Sequence, residues 1–187
     1  MRPSGHLHST AIALAIFFTL NQSFTVFEGF LFLSGALLLD GDFFVSKFLF
    51  HVANHRNFIT HSVVFYLILI FLSFVSHSVF IWLFLGALYH LCFDIFDWGI
   101  PLVPFKTSTF VTPHLLQVPA QLDEINFFRT YFSNNIIKLV EIALVLGFII
   151  SLLLVPLELV ILLLLLEALV VSEFLFQYRK VQRQSYQ

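Results

Sequence analysis

Charge is the scarcest property of this 187-residue chain. Asp, Glu, Lys and Arg make up 11% of it, against the ~25% typical of soluble domains. Cys92 is the single cysteine, which excludes a disulfide scaffold. With 7 Gly and 6 Pro the chain is neither collagen-like nor a low-complexity disordered segment. A formal net charge of −2 leaves no basic footprint for a polyanion, so nucleic acid is excluded as a partner. What the chain does have is apolar bulk: 59% hydrophobic residues, 26 of them Phe, and a mean hydropathy of +0.96. That is the composition of an integral membrane protein, in which each polar residue needs a reason.

Six apolar runs stand out as helix candidates. They are Leu7–Leu20, Phe24–Leu39, Ser62–Val75, Val79–Phe96, Ile136–Leu154 and Leu157–Phe176. The first two are short for a crossing and read as a tilted helical hairpin. Ser76-His77-Ser78 and Val155-Pro156 mark outer turns. The expected fold is all-α, a polytopic membrane bundle of about six helices. One membrane-embedded domain would cover 1–176, with a surface loop at 98–133 and a polar tail at 177–187. With the N-terminus inside, Arg2, Lys47, Arg56, Lys106, Arg129, Arg179, Lys180 and Arg183 all fall in inner segments. Lys138 lies one turn from the same side, and the outer turns hold no basic residue. The positive-inside rule then makes both termini and the 98–133 loop cytoplasmic, in the cell membrane. A cleaved signal peptide is the rival reading of the first run, but no small-x-small site follows Leu20.

The polar residues crowd towards that inner side. His6, His8, His51, His55, His61 and His90 lie there, with Asp40, Asp42, Asp94 and Asp97. Gly41 would permit a sharp turn that brings Asp40 and Asp42 to one locus. His90 and Asp94 are spaced i, i+4 and share a helical face, with Asp97 at i+7. A His and a carboxylate one turn apart make half a site for zinc or a similar ion. Four separate elements bring such residues to one membrane face, which points to a divalent metal site.

Some polar residues read differently. His8 is two positions from His6, about 200° around the helix, and reads as packing or headgroup contact. His51, one turn before His55, is a reserve ligand. His77 is on the outer side, and His114 is in the 98–133 loop. Glu167 falls near mid-span, where an ionised carboxylate is costly. A hydrogen bond to another helix is its plainer reading and a proton relay the sharper one.

Several short blocks carry a family resemblance: Gly5-His6, Leu38-Leu39-Asp40-Gly41-Asp42, His55-Arg56-Asn57-Phe58-Ile59-Thr60-His61-Ser62, His90-Leu91-Cys92-Phe93-Asp94, and Gly99-Ile100-Pro101-Leu102-Val103-Pro104. Together, over roughly residues 5–130, they resemble the YdjM-like family of membrane-bound metal-dependent hydrolases. Two positions depart from the family pattern. Leu39 stands where the family has Pro, and Phe43 where it often has His. The resemblance implies a metal-binding set of His6, Asp40, Asp42, His55, His61, His90 and Asp94. Seven groups exceed the four positions of one tetrahedral zinc, so there would be two ions, or some members would only orient the others. Asp94 and Asp42 would act as catalytic carboxylates, and Arg56 would clamp a phosphate oxygen or anchor at the headgroups. Glu124 resembles an acidic position late in the pattern. The implied activity is metal-dependent hydrolysis of a phosphoester at the cytoplasmic face, with membrane lipids as neighbours and a lipid-derived substrate in view. The alternative is a non-catalytic membrane metal-binding protein: a sensor, regulator or carrier.

Overall fold

The computed structural model describes residues 3–48, 61–97, 100–101, 110–111 and 135–184. Six helices account for most of them: α1 (Pro3–Leu20), α2 (Val26–Phe48), α3 (Val63–Val75), α4 (Ile81–Asp97), α5 (Asn135–Ser151) and α6 (Leu157–Gln184). Between α4 and α5, the two-residue strands β1 (Ile100–Pro101) and β2 (Phe110–Val111) pair antiparallel, Ile100 opposite Val111. The six helices match the six apolar runs in order, and the class is all-α as expected.

Helix ends depart from the apolar runs wherever polarity, rather than helix propensity, set the expected end. α1 begins at Pro3, so His6 and His8 are helical. Proline fits a first helical turn, where its missing N–H leaves no bond unmade. α2 does not turn at Gly41 but runs through Asp40, Gly41 and Asp42 to Phe48. A single interior glycine costs a helix only about 1 kcal/mol. α6 likewise continues through most of the expected polar tail to Gln184, because Arg, Lys and Gln are good helix formers.

Three tight turns gather at one end of the bundle. Between α1 and α2, Thr25 and Glu28 form a capping box. The Thr25 N–H donates to Glu28 Oε2 at 2.7 Å, and the Glu28 N–H to Thr25 Oγ1 at 3.2 Å. The other Glu28 oxygen accepts the Trp82 indole N–H at 2.8 Å, fastening α2 to α4. Between α3 and α4, His77 sits at φ 52°, the left-handed position of a Schellman turn. There the Ser78 N–H donates to the Ser73 carbonyl and the His77 N–H to the Phe74 carbonyl. Between α5 and α6, the chain folds back over Ser151–Pro156, and the Pro156 carbonyl starts α6. Inside this end, Phe17 meets Phe24, Phe32 and Trp82 at ring distances of 5.3–5.6 Å.

α1 is the central helix and touches α2, α4, α5 and α6. Leu7, Ala11, Ala13, Leu14 and Ala15 are buried in it, the alanines leaving room for close neighbours. α2 and α4 approach most closely. A Cβ built on Gly35 would run into the Leu83 carbonyl, and one on Gly86 into the Phe32 carbonyl. The two backbones touch there because both residues lack side chains. α3 joins through Leu39, Tyr66, Ala87 and Leu91, which form a small core of their own.

The polarity of the bundle is inverted. His6, His8, Ser9, Thr10, His61, His90 and Asp94 are buried, while Phe71, Phe74, Ile136, Leu139, Leu153 and Leu165 are each more than half exposed. Among the described residues, no helix is long and apolar enough to cross a membrane.

Gly35→Ala and Gly86→Ala should each wedge α2 from α4. Overpacking of this kind costs about 1–3 kcal/mol. Thermal unfolding should show a clearly lower Tm for both variants. His77→Gly, which relieves a left-handed non-glycine residue, should raise it slightly.

Candidate metal centre

Four side chains from three segments meet at the end of the bundle opposite the tight turns. His6 comes from the first turns of α1. His61 immediately precedes Ser62, the N-cap of α3. His90 and Asp94 lie one turn apart near the end of α4. All four are 1% exposed or less.

Asp94 is the centre of the group. His6 Nε2 lies 3.3 Å from its Oδ1, while His90 Nε2 and His61 Nε2 lie 3.5 and 3.7 Å from its Oδ2. These separations are longer than good N–H···O hydrogen bonds, which run about 2.7–3.2 Å. They are close to the edge of a tetrahedron, since ligands 2.0–2.2 Å from one zinc stand about 3.3–3.6 Å apart. His6, His90 and Asp94 form a triad whose ligand atoms all lie within 4.8 Å of one another, and it could hold a metal ion. His61 approaches the same carboxylate from the α3 side.

The imidazoles are arranged for this. His90 Nδ1 is 2.6 Å from the Ala36 carbonyl oxygen. A carbonyl only accepts, so Nδ1 carries a hydrogen, and in the neutral ring Nε2 then faces Asp94 with its lone pair. Orientation of a ligand histidine through its second nitrogen is the usual way to fix its tautomer. A lone pair and a carboxylate oxygen at 3.5 Å repel unless a cation lies between them. His6 stacks on His90 with ring centroids 3.8 Å apart and planes 12° from parallel. Two protonated rings so stacked would repel, which favours neutral imidazoles, the form that binds metal. The Nδ1 of His6 has no hydrogen-bond partner, although the residue is buried. Buried polar atoms are nearly always satisfied, so this ring points to a missing charged partner. His6 is itself held from behind: its carbonyl accepts from Thr10 Oγ1 at 2.6 Å and Ser9 Oγ at 3.1 Å. Tyr89 then donates to the Ser9 carbonyl at 2.8 Å, tying α1 to α4 beside the site.

Of the seven expected metal ligands, the fold brings together His6, His61, His90 and Asp94. Asp40 and Asp42 lie within α2, but their side chains are outside the described residues, as is that of Asp97. His51, His55, Arg56, His114 and Glu124 also lie outside them. His8 points away from the cluster, as its spacing from His6 implies. Its Nε2 lies 3.0 Å from Glu167 Oε2 on α6, and its ring packs on Phe148. Glu167 therefore has the interhelical partner expected of a mid-helix carboxylate. The orienting Ala36 carbonyl is not among the residues that the sequence singled out. The signal for it was the pair of small dipeptides, Gly35-Ala36 and Gly86-Ala87, which allow two backbones to meet.

No family model, curated protein or solved structure matches the chain.

His90→Ala and Asp94→Ala should each lower the bound divalent metal by at least about tenfold, as loss of a ligand exceeds the 10–100-fold effect of an orienting group. His8→Ala should leave it in place. Elemental analysis of the purified variants measures both.

Proposed function

We propose that this chain is a membrane-bound metal-dependent hydrolase whose site opens to the cytoplasmic face. The observation that carries the reading is the buried Asp94 carboxylate with three imidazole Nε2 atoms 3.3–3.7 Å around it. Three histidines and a carboxylate suit zinc better than a harder ion. The implied membership of the YdjM-like family belongs to this proposal, as does the polytopic membrane placement. The apolar outside and polar inside of the bundle support that placement, since large exposed apolar surfaces mark contact with lipid or protein. The one-sided basic residues support cytoplasmic termini.

His6, His61, His90 and Asp94 would hold the ion, and Asp40, Asp42 and His55 are the further ligands that the family resemblance implies. A bound divalent ion would supply Lewis acidity and a water whose pKa falls towards about 7. The protein groups do the rest. The Ala36 carbonyl keeps His90 in one tautomer, and stacking on His90 fixes the plane of His6. Asp42, or the second oxygen of Asp94, would accept the proton of the attacking water. Arg56 would stabilise charge that grows on a phosphoryl oxygen. A phosphoester is the substrate class that this set fits, and lipid headgroups are the phosphoesters nearest to such a face.

The near-complete burial of all four ligands favours a second reading, a non-catalytic sensor or regulator that keeps its metal closed from water. A carrier is disfavoured, because Phe17, Phe24, Phe32 and Trp82 fill the bundle at the turn end.

Purified protein should release soluble phosphate or headgroup from mixed lipids, lose this activity in chelator and regain it with zinc. Arg56→Ala should lower turnover by about 100-fold, the usual cost of one preorganised charge-stabilising donor, with metal content unchanged. Metal-replete protein that is inactive on a broad phosphoester panel would establish the regulator reading. Impermeant thiol reagents should label cysteines placed at 98–133 only after the cells are opened. Labelling of intact cells would overturn the membrane topology.

A further inference from the structure

The metal ligands do not stand alone on α4. Leu83, Ala87, His90 and Asp94 are spaced i, i+4, i+7 and i+11, so they form one stripe along a single helical face. The lower half of that stripe is apolar and forms the floor of a cleft of about 270 Å³. Gly35 and Leu39 wall it on the α2 side, and Tyr66 and Leu69 on the α3 side. Among the described residues, no charged residue lines it. Its existence follows from the glycine crossing. α2 lies against α4 at Gly35 with no side chain to fill the angle, and α3 packs mainly on α4. Ala87 is one turn from His90, and Tyr66 is one turn beyond the His61-Ser62 entry to α3. The apolar cleft therefore ends about one helical turn from the ligand cluster, whose side chains do not line it. The assembly is amphiphilic, with a cation-ready polar end and an apolar slot on the same helical face.

The geometry points to this cleft as the seat of one acyl chain of a phosphate-headed lipid, whose headgroup then lies at the His6–His90–Asp94 cluster. This rests on the metal reading of that cluster and gives its substrate class. A soluble phosphoester would use only the polar end. A neutral lipid would use only the slot. A phospholipid of matching length uses both, and its two contacts bind as one ligand. Leu39, Tyr66, Leu69 and Ala87 are then specificity residues. They select for chain length and take no part in bond breaking.

The test is photo-crosslinking of the intact, metal-loaded protein in neutral detergent, with phosphatidic acid that carries a diazirine near its chain terminus. Label should concentrate on peptides containing Leu39, Leu69 and Ala87. Dioleoyl phosphatidic acid should compete it away, and at least about tenfold better than the dibutyryl form, because each methylene in an apolar pocket adds severalfold. Dioleoyl glycerol, which lacks the phosphate, should compete poorly, and chelator should weaken the labelling. Leu69→Trp, at the partly buried rim of the slot, should lower slot labelling by at least about fivefold, as a side chain now fills the space. Label spread evenly over Leu139, Ile149 and Leu165 on the outer surfaces of α5 and α6 would overturn the proposal. So would equal competition by dioleoyl glycerol, which would make the slot a general apolar site unconnected to the metal. Phosphate-dependent slot labelling without any turnover would uphold this inference and reject the hydrolase reading.

Discussion

The backbone contact between α2 and α4 at Gly35 and Gly86 is the constraint on which the rest depends. Two helices with ordinary side chains pack about 8–10 Å apart, too far for an imidazole on one to reach a main-chain carbonyl on the other without displacing packing. With glycine at both crossing positions, His90 reaches the Ala36 carbonyl at 2.6 Å. That bond sets the tautomer of His90, and the ring of His90 sets the plane on which His6 stacks. The glycines thus act through two steps, first on a ring nitrogen and then on the neighbouring ring. The same absence of side chains leaves the apolar cleft beside the crossing.

Around this contact the bundle divides into two halves with different tasks. α2, α3 and α4 supply the orienting carbonyl, the entry histidine and the His90–Asp94 pair. α5 and α6 supply none of the four described ligands and instead hold α1 in place. Ile12 lies against Gly147, and His8 is paired with Glu167. α1 faces both halves, and its polar residues show this. His6 looks to the metal cluster and His8 to α6, because two positions along a helix turn a side chain about 200°. The buried polarity of α1 is thus a pair of opposed interactions rather than one site.

Much of this could be read in the sequence, for definite reasons. The six apolar runs gave the six helices because burial or lipid contact needs continuous apolar length. Their ends were not legible at Asp40-Gly41-Asp42 or after Phe176, since polar residues stop an apolar run without stopping a helix. The i, i+4 spacing made His90 and Asp94 legible as a pair, and their company with His6 and His61 followed from alternating helix directions. The long-range partners were less legible. Glu167 called for a polar neighbour on another helix, but spacing alone could not select His8. The Ala36 carbonyl was invisible because every residue has one, and only the small neighbours marked where a backbone group could serve.

His6 belongs to the first turns of the first helix, and Asp94 to the last turn of the fourth. During synthesis the first ligand is therefore made long before the residue around which the cluster gathers. Among the described cluster residues, no subset of early helices holds the triad: α1 with α2 offers His6 and the orienting carbonyl, and the entry to α3 adds His61. The site comes into being when α4 closes against α2. A metal bound by the complete cluster would thus favour the assembled bundle over any partly assembled one, and its loading would mark the completion of the first four helices.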